Sequence, residues 1–524
     1  MKRFQLLFYV FQFVFLTSAI PQTQNSRFIL AWYDYAHAGT TITTMTQRYK
    51  DIQTHNFNCV IMDRRLLTST NGVFDPQYFQ YASSNPSKAF MDSAYKYSIG
   101  IILTTPDNGV LVKSSWDDML KIWVYTFYNT YNNTVSQQGL AYWGNHPALW
   151  GFHIQDEPHR AHIKYIFPYA NDIKAFNPNL LRFVNLLPTY ADISRFDYAI
   201  DLPVYIDSIQ PNILSFDHYP IRDDINPNNP QQYWPACLFK NLDIISRKSV
   251  EYGIPFNYVL TSLGTQYPNF HPNSLVTSYL MYAGLFYGAK GLAHWNGPIS
   301  FNSIPLQHRE LIKNINKKIL DYEDILLSLQ FQSVYHKSFK STIGGGDDNI
   351  PTTSKWQNFV FDPIANEIFI TMFPFFPVSG SSIDNLAVSF FTDNFDNRYF
   401  WIFNKSLSSS ENIQLNLVYG SSVVDVLSGT SCSLPQNAVI HFEPAEAKLF
   451  KFIPNENTLL TNTITENTTW KSKRVVYEKI EVSPSAVLTV TGTVYFSANA
   501  SVIIHSGGKI IVDGGRLTSV CSGE

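Results

Sequence analysis

Between Phe28 and Gln330 the chain repeats one pattern eight times, a short apolar run followed by a segment of helical periodicity. No other property of the sequence restricts its fold as much. The runs are Phe28–Tyr35, Cys59–Asp63, Ile99–Thr105, Leu149–Gln155, Leu181–Leu187, Ile213–Asp217, Phe256–Leu263 and Gly291–Trp295. Helices are expected between them at Thr44–His55, Ser87–Tyr97, Trp116–Tyr128, Tyr165–Phe176, Tyr233–Tyr252, Ser274–Tyr287 and Arg309–Ser328. Runs that are apolar on both faces belong to a parallel sheet covered by helices. Eight such units over roughly 300 residues have the size of a closed (β/α)8 barrel. The fourth run, LWGFHIQDEP (Leu149–Pro158), stops at Asp156-Glu157-Pro158. Proline ends the strand there and leaves two carboxylates at its C-terminal lip, the end at which such barrels carry their chemistry.

Collecting the other strand ends gives Trp32, Asp34, Asp63, Asp107, Asn185, Asp217, His218, Tyr219, Gln266, His294, Trp295 and Asn296. Lys and Arg are missing from this set, which argues against phosphoryl substrates. No Gly-rich phosphate-binding turn precedes a helix, which argues against a nucleotide cofactor. The net charge of −3 leaves no footprint for nucleic acid. What remains is carboxylates, amides and aromatic rings, a mixture suited to sugars. Aromatic residues make up 15% of the chain, and flat apolar faces with polar edges suit pyranose rings. His153 and His159 are not expected to form a metal set with Asp156, because alternate strand residues face opposite sides. No metal and no cofactor are expected.

The Asp156-Glu157-Pro158 end of strand four, SFDHYP (Ser215–Pro220) at strand six and YGAKGLAHW (Tyr287–Trp295) at strand eight occur in the right order. In these three features the region resembles the retaining clan of TIM-barrel glycoside hydrolases, whose strand four commonly ends in Asn-Glu-Pro. The resemblance implies that Glu157 is the proton donor, with Asp156 in the place of the asparagine. Enclosure by aromatics such as Trp150, together with the neighbouring Asp156, is expected to raise the Glu157 pKa. The chain departs from the clan at strand seven, FNYVLTSLGTQ, which ends in Ser262, Gly264 and Gln266 with no acid, while Glu251 lies before the strand. Asp217 ranks first as the second carboxylate, followed by Asp63 and Asp34. Trp32, Asp63, Asp156, Asn185, His218, Tyr219 and Trp295 are the expected substrate contacts, and some candidates have a structural alternative: core packing for the two tryptophans, a turn for Asn185 and for the second carboxylate Asp217, an ion pair with Arg64 or Arg65 for Asp63.

The remainder of the chain divides by texture. Met1–Ala19 has the basic start, apolar core and small-residue exit of a secretory signal, which places the mature protein outside the cell or on its surface. Residues 27–330 are the expected barrel. Residues 331–455 carry short alternating runs at the intervals of an antiparallel β-sandwich, a module that often follows such barrels. Residues 456–524 are β-rich, and SGGKIIVDGGRLTSV resembles the opening repeats of surface β-helices, which suggests either a chain cut short within such a module or a short cap. The four cysteines, Cys59, Cys237, Cys432 and Cys521, are scattered and no pairing follows from their spacing. Two functional readings stay open: a secreted hydrolase of glycosidic bonds in an oligo- or polysaccharide, or a glycan-binding pseudoenzyme or adhesive head that does not cleave. The missing strand-seven acid favours the second, and the crowded polar rim favours the first. The sequence sets neither the sugar nor the oligomeric state.

Overall fold

The computed structural model describes residues 27–34, 41–62, 86–104, 110–117, 122–129, 133–188, 196–219, 238–262, 274–295, 301–336, 375–377, 386–395, 397–415, 422–428, 434, 438–453, 461–476, 479–496 and 500–519. Met1–Ala19 and the candidates Asp63, Asp107, Gln266 and Asn296 lie outside them. Ten strands come first: β1 (Ile29–Asp34), β2 (Cys59–Met62), β3 (Gly100–Thr104), β4 (Val110–Asp117), β5 (Ile122–Asn129), β6 (Leu149–Asp156), β7 (Leu181–Leu186), β8 (Leu214–Asp217), β9 (Phe256–Leu260) and β10 (Gly291–His294). Eight of them close into a parallel barrel in the order β1-β10-β9-β8-β7-β6-β3-β2. The helices are α1 (Ile42–Thr54), α2 (Pro86–Lys96), α3 (Asn133–Trp143), α4 (Ile163–Phe176), α5 (Asp201–Ile209), α6 (Leu238–Tyr252), α7 (Ser274–Phe286), α8 (Leu306–Asp321) and α9 (Glu323–Ser328). The expected (β/α)8 barrel is present.

One expected helix is not. Trp116–Tyr128 is divided between β4 and β5, an antiparallel hairpin outside the barrel, and the helix of this unit is α3 further on. The run IWVYTFY alternates β-branched and aromatic residues, and their strand preference outweighs the helical spacing read there. Helix α5, over DLPVYIDSI, was not expected at all.

Alternation sorts the barrel residues into two layers. Ile29, Ala31, Tyr33, Cys59, Ile61, Ile102, Phe183, Ile213, Val259 and Ala293 form one cluster, the barrel interior. Their sequence neighbours Leu30, Trp32, Val60, Ile101, Val184, Leu214, Phe216, Tyr258 and Leu292 pack with the helices. Two bulges in β6 break the alternation. Leu149 and Gly151 oppose the consecutive Ile101 and Ile102, and His153 and Gln155 oppose the consecutive Phe183 and Val184. Trp150, the extra residue of the first bulge, fills the closed end of the barrel. A Cβ on Gly100 would stand 2.1 Å from its ring, and Arg27 lies 5.5 Å over it.

β11 (Gln330–His336) opens an antiparallel region with β12 (Phe375–Pro377), β13 (Leu386–Thr392), β14 (Arg398–Asn404), β15 (Glu411–Leu415), β16 (Ser422–Asp425), β17 (Val439–Phe442) and β18 (Ala447–Ile453). They form a five-stranded sheet, β11-β13-β14-β18-β16, and a three-stranded sheet, β12-β15-β17. Phe390, Phe400, Ile402, Ile413, Phe442 and Phe450 fill the space between the sheets. The other face of the larger sheet joins the barrel core through Phe391, Trp401, Phe403 and Leu449. Helix α7 lies between barrel and sheet and is apolar nearly all round, as a helix covered on every side must be. Tyr279 meets Phe403 at 4.9 Å, and Tyr287 shares a 2.8 Å hydrogen bond with His336.

The tail holds β19 (Thr461–Ile464), β20 (Thr468–Trp470), β21 (Arg474–Val476), β22 (Lys479–Val482), β23 (Val487–Val490), β24 (Thr493–Phe496), β25 (Ser501–Ile504), β26 (Lys509–Val512) and β27 (Arg516–Ser519). They stack as three parallel sheets, β19-β22-β25, β20-β23-β26 and β21-β24-β27, which is a three-sided solenoid of three rungs. Its core includes Trp470, Ile480, Val482, Leu488, Val490 and Val494. The first rung is pinned to the corner between α8 and α9. Asp324 accepts from the backbone of Lys471 and Ser472, and Lys473 pairs with Asp321 at 2.8 Å. No helix among the described residues is long and apolar enough to cross a membrane.

Candidate active site

The C-terminal mouth of the barrel gathers residues from β1, β6, β7, β8, β9 and the end of β10. A row of buried amides and a hydroxyl crosses it at one level, because Asp156, Asn185, Ser215, Asn257 and Gly291 are register partners on successive strands. Asn257 donates to Ser215 at 3.1 Å, and Ser215 donates to the Asn185 carbonyl oxygen at 3.2 Å. That bond fixes which way the Asn185 amide faces. Its Nδ2 is turned to two carboxylates, Asp217 Oδ2 at 2.9 Å and Asp156 Oδ1 at 3.2 Å. Gly291 ends the row because a Cβ there would stand 2.5 Å from Asn257 Oδ1.

Glu157 sits directly after β6, with its N–H donating to the Asn185 carbonyl at 2.8 Å and its φ at 43°. A left-handed glutamate costs about 1–3 kcal/mol and persists where its surroundings hold it, commonly at functional sites. This turn brings the half-buried Glu157 carboxyl against Asp217. Asp217 is 2% exposed, and its Oδ1 has no N–H or O–H donor among the described residues. Burial holds its pKa well above the ordinary carboxylate value, and the negative charges of Glu157 and Asp156 push it further the same way. A hydrogen bond to Glu157 also favours the protonated acid, while the Asn185 bond opposes it. Two carboxyls in contact cannot both ionise cheaply, so the pair holds one proton, and burial favours Asp217 as its seat.

Asp156 points outward to solvent at the lip, with its side chain 52% exposed, and His153 Nε2 lies 3.9 Å from it. The second bulge brings these two residues together. Residues three apart would face opposite sides of a regular strand, so the opposite-face argument that separated His153 from Asp156 fails here. His153 is buried and edge-on to Phe183 at 5.4 Å and to Tyr33 at 6.2 Å. Tyr219 stacks on Trp295 with ring centres 5.0 Å apart at 24°, and both rings keep a partly open face at the mouth. Burial raises the Tyr219 pKa, and the charges of Asp217, Asp156 and Glu157 add to the effect, which places its hydroxyl among the acids.

Glu157, Asp217, Asp156, Asn185, Tyr219 and Trp295 therefore converge at one mouth, while other expectations need correction. Trp32 is 2% exposed and wedged among Phe57, Phe301 and His294 in the helix layer, so it cannot floor a sugar subsite. His218 points the same way. It is fully buried and hydrogen-bonded to Asn241 of α6, and burial pulls its pKa down to about 3. Asp34, a reserve carboxylate, forms a 2.8 Å ion pair with Arg48 of α1. Each is one residue out of phase with an inward neighbour, Tyr33 for the first and third, Asp217 and Tyr219 for the second. Trp150 lies at the opposite end of β6 and does not enclose Glu157. Asp63 falls outside the described residues. Sequence reasoning missed Tyr33, His153, Ser215 and Asn257. β9 and the two residues after it, Thr261 and Ser262, carry no acid.

No protein-family model matches this chain, and no curated protein matches it. Among solved structures it is similar to a β-galactosidase from the psychrophilic Marinomonas ef1, at 8% identity and TM-score 0.41, over 57% of this chain and 62% of that one. A glycoside hydrolase family 5 protein from Bacteroides vulgatus matches at 11% identity and TM-score 0.40, over 82% and 90% of the two chains. A putative α-galactosidase from Bacteroides fragilis matches at 9% identity and TM-score 0.44, over 82% and 80%. The chain thus spans less than two thirds of the Marinomonas enzyme, and likeness at these scores carries over no activity.

Proposed function

We propose that this chain hydrolyses glycosidic bonds in an oligo- or polysaccharide by carboxylate acid/base chemistry, with Asp217 holding the transferable proton and Glu157 as its ionised partner. The observation that carries the reading is the proton-sharing pair of Glu157 and Asp217 beside the stacked Tyr219 and Trp295. Glycoside hydrolysis needs one carboxyl that enters the reaction protonated and one that enters it charged. Environments that push two acids apart in pKa assign those roles. Burial assigns the proton to Asp217, which reverses the order expected from the sequence, where Glu157 was the donor.

In the reaction Asp217 passes its proton to the leaving glycosidic oxygen. The Glu157 carboxylate then attacks the anomeric carbon or takes a proton from the attacking water. The carboxyls touch, closer than the ~5–5.5 Å of retaining or the ~6.5–9.5 Å of inverting enzymes. A sugar must therefore part them, and the gap it leaves sets the stereochemistry. Tyr219 and Trp295 offer a ring face to the sugar, while Asn185 and Asp156 offer polar contacts to its hydroxyls. Export belongs to the proposal and is supported by the Met1–Ala19 sequence.

The contact between the carboxyls also favours a second reading, a lectin-like mouth that binds sugar without cleaving it. A polysaccharide and aryl-glycoside panel decides between them. Glu157→Gln and Asp217→Asn should each lower turnover by about 10²–10⁴ while sugar binding survives. Binding by the wild-type chain with no turnover on any substrate would leave the lectin-like reading standing.

A further inference from the structure

Ser215 and Asn257 are wholly buried beneath the acids, and neither bonds to a carboxylate among the described residues. The row they form with Asn185 nevertheless has a direction. A hydroxyl has one proton to give. Asn257 Nδ2 donates to Ser215 Oγ, so the Ser215 proton is left for the Asn185 carbonyl oxygen. Asn185 therefore meets Asp217 and Asp156 with its N–H groups and keeps its carbonyl turned away from them.

The far end of the row shows what this direction costs. Asn257 Oδ1 faces Gly291, buried and with no donor among the described residues. A buried acceptor left unpaired is destabilising and calls for a reason. Turning the Asn257 amide over would not remove the strain. Its Oδ1 would then compete for the Ser215 proton, and Asn185 would lose the donor that fixes its carbonyl. A freed Asn185 could turn that carbonyl toward Asp217 and accept from the protonated acid, which favours the acid form.

We propose that Ser215 and Asn257 are positioning residues: acting through Asn185, they keep its N–H groups on the acid pair and so limit how firmly Asp217 holds its proton. The inference rests on the proton shared by Glu157 and Asp217 in the function proposed above. The ionisable groups that bear on Asp217 are Glu157 and Asp156 from the end of β6, Tyr198 from the segment after β7 and Tyr219 after β8. Burial and the Asp217 charge raise both tyrosines, so they stay protonated while Asp217 titrates. His218, next in the chain, turns away to Asn241 of α6.

The test uses the whole chain and two readouts. One is the basic limb of the pH–rate profile on an aryl glycoside. The other is the pH at which the stability difference between a chain and its Asp217→Asn counterpart levels off, and it needs no substrate. Ser215→Ala should move both to higher pH by about one unit, the weight of one hydrogen bond to a charged group. Ser215→Thr keeps the hydroxyl and should stay near the wild type. Asn257→Ala leaves the Ser215 proton in place but unsteered, and should move both readouts the same way by less. On an Asn185→Ala background, Ser215→Ala should add nothing, whereas a packing effect would add in full. Unmoved readouts in Ser215→Ala overturn the proposal, as does a move to lower pH, an equal move in Ser215→Thr, or a full further move on the Asn185→Ala background. If no glycoside is turned over, or turnover survives Glu157→Gln and Asp217→Asn, the hydrolase reading fails and the stability readout alone decides the positioning role. If both of those variants lose turnover while Ser215→Ala moves neither readout, the positioning role fails and the hydrolase reading stands.

Discussion

Asp217→Asn should change how stability depends on pH, and the size of the change follows from the contacts of Asp217. Its carboxyl is buried, faces Glu157 and Asp156, and has a native pKa well above the ordinary 3.8. Between 3.8 and that raised value the folded chain holds a proton that the unfolded chain has released. Stability must therefore fall as pH rises across that window, by about 1.4 kcal/mol per pH unit for one proton. The contribution is fully present below the unfolded value and is lost as pH passes the native one. Asparagine keeps the size of the side chain, still accepts from Asn185 and can donate to Glu157, but has no proton to lose. Denaturant midpoints at a series of pH values, taken as wild type minus variant at matched m-values, report the proton that Asp217 shares with Glu157. The difference should change by about 1.4 kcal/mol per unit, with the variant gaining relative to wild type as pH rises. A flat difference, or one of opposite sign, would refute the shared proton and with it the assignment of Asp217 as the acid.

Asn185→Ala removes the bond that opposes protonation of Asp217, so the basic limb of the pH–rate profile should move to higher pH; an unmoved limb would mean that Asp217 does not set it. Gly100→Ala should destabilise the barrel by about 1–3 kcal/mol, because the added Cβ lands on the Trp150 ring, and Trp150→Phe in the same chain should recover part of the loss in a melting experiment. Tyr287→Phe should cost about 1 kcal/mol, measured by denaturant titration, because it leaves His336 Nε2 buried without its 2.8 Å partner at the joint between barrel and sheet. Trp295→Ala should raise KM more than it lowers kcat if, as proposed, the ring packs on the sugar without touching a moving proton.

The barrel was legible because its rhythm is carried by run length and spacing, which survive errors of a residue or two. The direction each side chain takes was less legible. Strands buried on both faces show no apolar–polar alternation, so AWYD reads equally well with Trp32 and Asp34 inward or with Tyr33 inward. One residue of phase therefore sent Trp32, Asp34 and His218 to the wrong layer. Two signals could have set the phase: Ala31, Ala293 and Gly291, small residues suited to a crowded interior, and the Asn185, Ser215 and Asn257 positions of neighbouring strands. The bulge at Ile154 leaves no mark in the sequence, because LWGFHIQD spells a regular strand. The tail shows the same limit. The stretch SGGKIIVDGGRLTSV stands out by its paired glycines, whereas TNTI and TTW of the first rung are too short and polar to stand out.

The solenoid also shapes how this part of the molecule comes apart. Each strand of the middle rung is hydrogen-bonded to the same strand in the rungs before and after it, whereas β25, β26 and β27 have a described ladder on one side alone. Val502, Ile503, Ile504, Ile511 and Val512 are 37–49% exposed, against 0% for Val482 and Val490 one rung inward. Among the described rungs, opening should be rarest in the first, where Asp321 and Asp324 hold Lys473, Lys471 and Ser472 to the helices. Deuterium would enter the amides of Lys509–Val512 early, those of Val487–Val490 later, and those of Thr468–Trp470 last. The barrel would then act as the fixed end of a zipper, holding the first rung closed while the described rungs beyond it open more readily.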